Sequence, residues 1–210
     1  MELKEIEQIW SSVRPKTMYG QVEAELKVFN NLCDKAKMLV WEEACNPESW
    51  FLYVCGLDDE LNGLSPIEQI MYVALKIFQF KFCAAFPIYF DFICQDEIEY
   101  ENKIYKPDFT ICSMVINDIH YICETPIIIE CDGYNSHHTK EQRNYDMERE
   151  NNLKAKGYSV IRFTGSQIFK DPYDCVKRTY KFLLDENREV IAQAREDYTI
   201  HKKNEGNTNG

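Results

Sequence analysis

Apolar residues recur along this chain with two different periods, and the change of period marks out its elements. Ile67, Ile70, Met71, Ala74, Leu75 and Phe78 fall three or four apart, which places them on one face of a helix. Ser65-Pro66-Ile67-Glu68 opens that helix with two start signals, a capping-box pattern and proline at the first helical position. Beyond it the pattern changes. Phe86 to Cys94, Phe109 to Ile116 and Pro126 to Asp132 are strand candidates rich in Ile, Phe, Tyr and Val, with a turn at Asn117-Asp118 between two of them. Ile127 to Ile129 is apolar on both faces, which suits a central strand covered on each side. Thr139-Lys140-Glu141-Gln142 again has capping-box form, and the helix it begins runs to Lys156, with Gly157 ending it. Tyr158 to Phe163 returns as a strand after a crossover, and a closing helix runs from Pro172 to about Arg195.

Before residue 64 the pattern is helical and irregular. Val22, Leu26, Phe29, Leu32, Cys33 and Ala36 have helical spacing between Gln21 and Trp41, and Asn46-Pro47 breaks the segment. Trp50 to Val54 is a short apolar run of unclear type, and Gly56 to Gly63 reads as an acidic loop. The fold class that follows is α/β, a mixed central sheet flanked by helices with an N-terminal helical extension. The expected divisions are the extension at 1–63, the α/β domain at 64–200 and a mobile tail at 201–210.

Composition bounds this picture. With 210 residues, 45% hydrophobic and 13% aromatic, the chain can bury one substantial core. Nine cysteines without a CxxC pair fit neither a disulfide framework nor that zinc template, and point to a reducing, cytoplasmic setting. Cys123, Cys131, His137 and His138 could gather around zinc only with a spacing that matches no strong template. No apolar run reaches the roughly 18 residues a membrane span needs. The acidic start Met1-Glu2-Leu3-Lys4-Glu5 is not a signal peptide.

The chemistry gathers where the apolar run Ile127-Ile128-Ile129 ends in Glu130-Cys131-Asp132-Gly133. A strand alternates its side chains, so Ile128, Glu130 and Asp132 share one face. Ionised carboxylates at the edge of a core need a cation, an arginine or open water. Upstream, Lys106-Pro107-Asp108-Phe109 opens another strand, and antiparallel pairing brings Asp108 beside the end of the strand that carries Glu130. Three carboxylates converging there make a hard-oxygen pocket suited to magnesium or manganese. The alternative is a strand that simply ends in polar residues at the surface.

Read in order, these motifs resemble the PD-(D/E)XK nuclease superfamily, in its branch similar to very-short-patch-repair endonucleases. The likeness runs over roughly residues 65 to 180. It rests on Ser65-Pro66-Ile67-Glu68, Lys106-Pro107-Asp108-Phe109, and Ile129-Glu130-Cys131-Asp132-Gly133 followed by His137-His138. Asp146-Met147-Glu148-Arg149 and Gly157-Tyr158-Ser159-Val160-Ile161-Arg162-Phe163 continue it. Asp132 stands where the lysine of the superfamily signature would be, and in this branch an acidic residue there with a nearby histidine is usual. The resemblance implies metal-dependent hydrolysis of DNA phosphodiester bonds. In that scheme Asp108 and Glu130 hold the ion, Asp132 orients its water or completes the shell, and His138 or its neighbour His137 acts as base or steadies the leaving group. Glu68 has two readings, a contact to the site or a helix cap.

Charge argues on the other side. The formal net charge is −11, which repels phosphate backbones at long range. Residues 1–136 carry 10 basic and 23 acidic residues, while residues 137–181 carry 10 basic and 6 acidic. Lys140, Arg143, Arg149 and Arg162 in that basic segment are the candidate nucleic-acid contacts, and Arg149 could equally hold a carboxylate. The acidic first half suits a protein partner or water better than DNA. Two further readings follow, a nuclease-like binding protein that does not cut, and a nuclease subunit whose DNA contacts come from a partner.

Overall fold

The computed structural model describes residues 32–43, 63–85, 88–116, 119–133 and 140–197. By its internal contacts the chain divides into two compact units, Met1–Ile77 and Phe78–Gly210. In the first unit, helix α1 covers Asp34–Glu43, and the first turns of α2, Pro66–Ala85, belong here as well. Gln69 links them, accepting from the Cys33 N–H at 2.8 Å and donating to the Leu64 carbonyl at 3.2 Å. The earlier half of the expected helix from Gln21, the run Trp50 to Val54 and the tail from His201 lie outside the described residues.

The second unit is built on a four-stranded sheet. Its strands are β1 Ile88–Cys94, β4 Phe109–Ile116, β5 Ile119–Asp132 and β6 Ser159–Thr164, in spatial order β1-β4-β5-β6. The first three are antiparallel and β6 lies parallel to β5, so the sheet is mixed. A small hairpin, β2 Ile98–Tyr100 and β3 Lys103–Tyr105, turns through Glu101 and Asn102, both at positive φ. That is the backbone a two-residue hairpin turn needs to match strand twist. Helices α3 Lys140–Ala155, α4 Gly165–Lys170 and α5 Pro172–Glu186 complete the unit.

The sheet is covered on both faces. Ile128 on one face packs with Leu153 of α3 and with Ile98 and Tyr105 of the hairpin, flanked by Tyr100, Tyr158 and Val160. On the other face Phe109 meets Phe92 edge-on at 5.8 Å, and Tyr180 of α5 stacks near Phe90 at 5.7 Å and Phe78 at 5.6 Å. Cys175, Val176, Thr179, Tyr180 and Leu183 form the buried stripe of α5 at helical spacing. Ile127, Ile128 and Ile129 are all fully buried, as a central strand covered twice requires. Among the described residues no helix is long and apolar enough to cross a membrane.

Helix α3 ends where Gly157 predicts. Gly157 adopts φ +96°, its N–H donates to the Lys154 carbonyl at 2.9 Å, and the Tyr158 N–H donates to the Leu153 carbonyl at 3.0 Å. This is the paired-bond C-cap that a residue without Cβ accommodates at least cost. Helix α4 begins with a capping box that the sequence reading passed over, Thr164 and Gln167 bonding reciprocally.

Two departures from the expected elements share a cause. Strand β5 begins at Ile119, seven residues before the expected Pro126, and the closing helix stops at Glu186 before a further helix covers 188–197. The β4–β5 register jumps from Ile111↔Ile127 to Ser113↔Ile122, so β5 carries extra residues around Pro126. Proline has no N–H for the ladder, and the pairing slips there. Asn187 takes up the slack. Its Oδ1 accepts from the Thr125 N–H at 3.0 Å, and its Nδ2 donates to the carbonyls of Thr125 at 3.1 Å and Leu183 at 3.0 Å. A fully buried asparagine thereby caps α5 and completes the strand backbone.

Asn187→Ala should therefore cost about 2 kcal/mol, since it leaves the Thr125 amide and carbonyl without these partners. Urea unfolding checks this, and a loss no larger than that of an exposed Asn→Ala change would contradict it.

Candidate active site

Glu130 sits one residue beyond the fully buried isoleucines, on the face of Ile128, and is itself only 5% exposed. The parallel register sets Arg162 of β6 directly beside it. Helix α3 crosses the same face with Leu153 in the core. Arg149, one turn earlier, consequently faces the sheet and reaches the carboxylate. Its guanidinium binds Glu130 through both oxygens, 2.6 Å to Oε1 and 3.3 Å to Oε2, and donates to the Lys106 carbonyl at 3.2 Å. Of the two roles open to Arg149 in the sequence, this is the carboxylate-holding one.

Burial is the largest influence on Glu130 and pushes its pKa above the ordinary carboxylate value. The positive charges of Arg149 and Arg162 and the hydrogen bond from Arg149 pull it back, while Asp132 pushes it further up. Burial favours the protonated carboxyl, and Arg149, with Arg162 beside it, favours the anion. The planar fork of arginine suits the task because it matches both oxygens at once.

Asp132 lies two residues on, at the rim, and Arg162 holds it less closely. The Arg162 Nη1 is 3.4 Å from Asp132 Oδ1, and its Nε is 3.5 Å from Glu150 Oε2. Both exceed the 2.7–2.9 Å or so of a strong charge-assisted bond. Glu150 is bound at 2.6 Å by Lys154, and this contact chiefly, with Arg162 adding to it, holds its carboxyl below the ordinary value. Glu150 had no place in the sequence reading. Only its spacing of one residue from Arg149 on α3 hinted that it would lie near.

Asp108 enters through its backbone as much as its charge. Antiparallel pairing of Phe109 with Ile129 brings it alongside Glu130, as expected. Its carbonyl accepts from the Gln95 N–H at 3.1 Å on one side, and its carboxylate accepts from the Cys131 N–H on the other. Pro107 at the strand start cannot continue the ladder, and the Asp108 side chain bonds to β5 next to that gap.

The donor chemistry suits a hard divalent cation, since Asp108, Glu130 and Asp132 offer only oxygens and Glu130 is built to face positive charge. The arrangement is another matter. Among the described residues no group of three or more His, Cys, Asp or Glu side chains is gathered to hold a metal ion. Each of the three carboxylates has a partner here: Asp108 accepts from the Cys131 N–H, Glu130 is held by Arg149, and Asp132 is held more loosely by Arg162. Of the zinc grouping, Cys123 is buried, which pushes its thiol up to about 12, and His137 and His138 lie outside the described residues.

The remaining candidates are placed as follows. Glu68 lies in the first unit, where it caps α2: its Oε2 accepts from the Ser65 N–H at 2.7 Å and its N–H donates to Ser65 Oγ at 3.4 Å. His137 and His138 lie outside the described residues, as do the side chains of Lys140 and Arg143 in the first turn of α3.

A pH test follows from Glu130. Its folded pKa is raised, so the folded protein holds that proton more tightly than the unfolded chain. Its anionic form therefore weighs against folding above the raised value and is relieved as pH falls through it. Arg149→Gln removes the compensating charge and should cost about 3 kcal/mol at neutral pH. That deficit should shrink as pH falls through the Glu130 titration, because the proton then replaces the arginine. Denaturant unfolding of both proteins from pH 7 downward checks it, and a deficit independent of pH would refute it.

Residues 90–183 match the model of a restriction-endonuclease-like family, REase_MTES_1575. The matched segment runs from β1 into α5 and takes in Asp108, Glu130, Asp132, Arg149 and Arg162, while Glu68 falls before it. No curated protein and no solved structure gives a significant match. Over this segment the chain is similar to a nuclease family, and its mixed sheet with helices on both faces agrees with a restriction-endonuclease-like fold.

Proposed function

We propose that the second unit is an endonuclease that hydrolyses DNA phosphodiester bonds with magnesium or manganese, of the kind resembling very-short-patch-repair endonucleases. The observation that carries this reading is the buried, arginine-compensated Glu130 at the end of the central strand, inside the segment similar to a restriction-endonuclease-like family. Buried carboxylates paired with a specific charge in this way concentrate at functional sites.

Glu130, Asp132 and Asp108 would hold the ion, which when bound polarises a phosphoryl oxygen and lowers the pKa of water. The chain's own groups divide the remaining work. Asp132, about one-third exposed at its side chain, can accept a proton from an attacking water at the rim. Arg162, held by two long contacts, keeps donors suited to a phosphate oxygen, with a planar fork that fixes its orientation. Arg149 compensates the charge of Glu130 while no ion is bound. A histidine at 137 or 138, following Asp132, completes the proposal as acid or base.

The net charge of −11 favours a second reading in which this unit cuts as part of a complex, its DNA contacts supplied by a partner that binds the acidic N-terminal region. Size-exclusion chromatography with a nuclease assay on each fraction separates the two, since cleavage by the lone chain is expected only of the first.

Purified protein should cut plasmid DNA with magnesium or manganese and stop on chelation. Glu130→Gln and Asp132→Asn should each lower the rate by about 10²-fold or more, because each removes an anionic oxygen that the reaction uses. Cleavage at the wild-type rate by the double variant Asp108→Ala, Glu130→Ala would overturn the assignment.

A further inference from the structure

We propose that Arg149 occupies the cation position of Glu130, and that a divalent ion reaches this carboxylate only as the guanidinium leaves it, so that Arg149 sets the ion affinity of the site. The inference rests on the nuclease reading for the ion, and adds to it the role of Arg149, which is argued from the contacts of Glu130.

Both oxygens of Glu130 are taken by one guanidinium, at 2.6 and 3.3 Å. Magnesium would have to approach one of those oxygens to about 2.0–2.1 Å. Within a buried pocket the two cations repel, so they exclude one another. The Glu130 and Asp132 carboxylates each already have a guanidinium against them, Arg149 and Arg162. An arriving ion therefore meets a compensated site and binds only by displacing a partner. Arg162 is already loose on Asp132 at 3.4 Å, which leaves the tight Arg149 contact as the controlling one.

Arg149 also has somewhere to go. It sits on α3 with Asp146 one turn before it, at the i, i+3 spacing that lets side chains meet. Its contact to the Lys106 carbonyl is a second anchor about which the guanidinium can pivot. On this proposal the guanidinium swings from Glu130 toward its own helix when an ion binds, and the ion biases the choice between the two positions.

Calorimetric titration of the full chain with manganese tests this directly. Arg149→Gln should bind manganese about tenfold more tightly than wild type or better, and Arg149→Lys, which keeps the charge but loses the fork, should fall between them. Glu130→Gln should bind weakly in every background. A second measurement needs no variant: on titrating wild type with magnesium, the Arg149 Nε–H resonance should shift and exchange faster with solvent as the ion binds. This decides the matter if Arg149→Gln proves too unstable. The proposal is overturned if Arg149→Gln and Arg149→Lys bind manganese no more tightly than wild type, if Glu130→Gln leaves affinity unchanged, or if the guanidinium resonance stays put while magnesium binds. Tighter manganese binding by Arg149→Gln, together with DNA cleavage at the wild-type rate by the double variant Asp108→Ala, Glu130→Ala, would sink the nuclease reading and leave this one standing. Metal-dependent cleavage with no change in manganese affinity would do the reverse.

Discussion

Everything at the candidate site depends on one carboxylate held out of water. Glu130 is buried beside three isoleucines with no exposure at all, and an ionised group there is tolerable only against a fixed positive charge. Arg149 supplies it, and its reach is set by the packing of α3. Leu153 fixes the rotation of the helix against Ile128, and Gly157 fixes where the helix ends and β6 begins. The parallel pairing of β6 with β5 then delivers Arg162 beside Glu130. Core packing, helix capping and strand register thus all converge on the charge state of a single side chain.

The sheet reaches that arrangement by satisfying its backbone in unusual ways at two places. Around Pro126 the β4–β5 ladder slips, and Asn187 replaces a strand partner for Thr125. Near Pro107 the Asp108 carboxylate accepts the Cys131 N–H next to the start of β4. Asp108 is therefore both a candidate metal ligand and a structural acceptor. Removing its charge acts on the end of β5 as well as on chemistry, whereas a change at Asp132 acts at the half-exposed rim. The two positions carry different information when mutated.

Much of this was legible in the chain itself. Phe109–Ile116 coincides with its expected bounds, the isoleucine run gives the central strand, and Gly157 marks the end of α3. The proximity of Asp108 and Glu130 follows from antiparallel pairing alone. Other features depend on contacts that no local pattern encodes. The first half of β5 escaped because Ile122 there is 82% exposed while Cys123 is buried, so the apolar alternation is inverted. The β2–β3 hairpin is three residues a side and turns through Glu-Asn, without the Asn-Gly signal that usually marks such turns. The interruption of the last helix at Asn187 has its reason 62 residues away, at Thr125. The pairing of Arg162 with Asp132 requires the β5–β6 register, and that of Arg149 with Glu130 requires the rotation of α3.

The same pairings change what the basic segment means. Counted along the sequence, residues 137–181 offer ten positive side chains to a polyanion. In the fold, Arg149 is committed to Glu130, Lys154 to Glu150, Lys156 to the Glu99 carbonyl, and Arg178 lies over the Phe163 ring at 5.0 Å. Lys170, Lys177 and Lys181 are exposed, but Arg162 is the described arginine with its charge near the candidate site and only long contacts holding it. Affinity for a phosphate backbone grows with the number of cations that neutralise it. A site that spends its arginines internally therefore draws little binding energy from its own charge. That ties the acidic composition of the chain to its internal ion pairs: among the described residues, Arg149 and Lys154 serve carboxylates within the fold before any ligand.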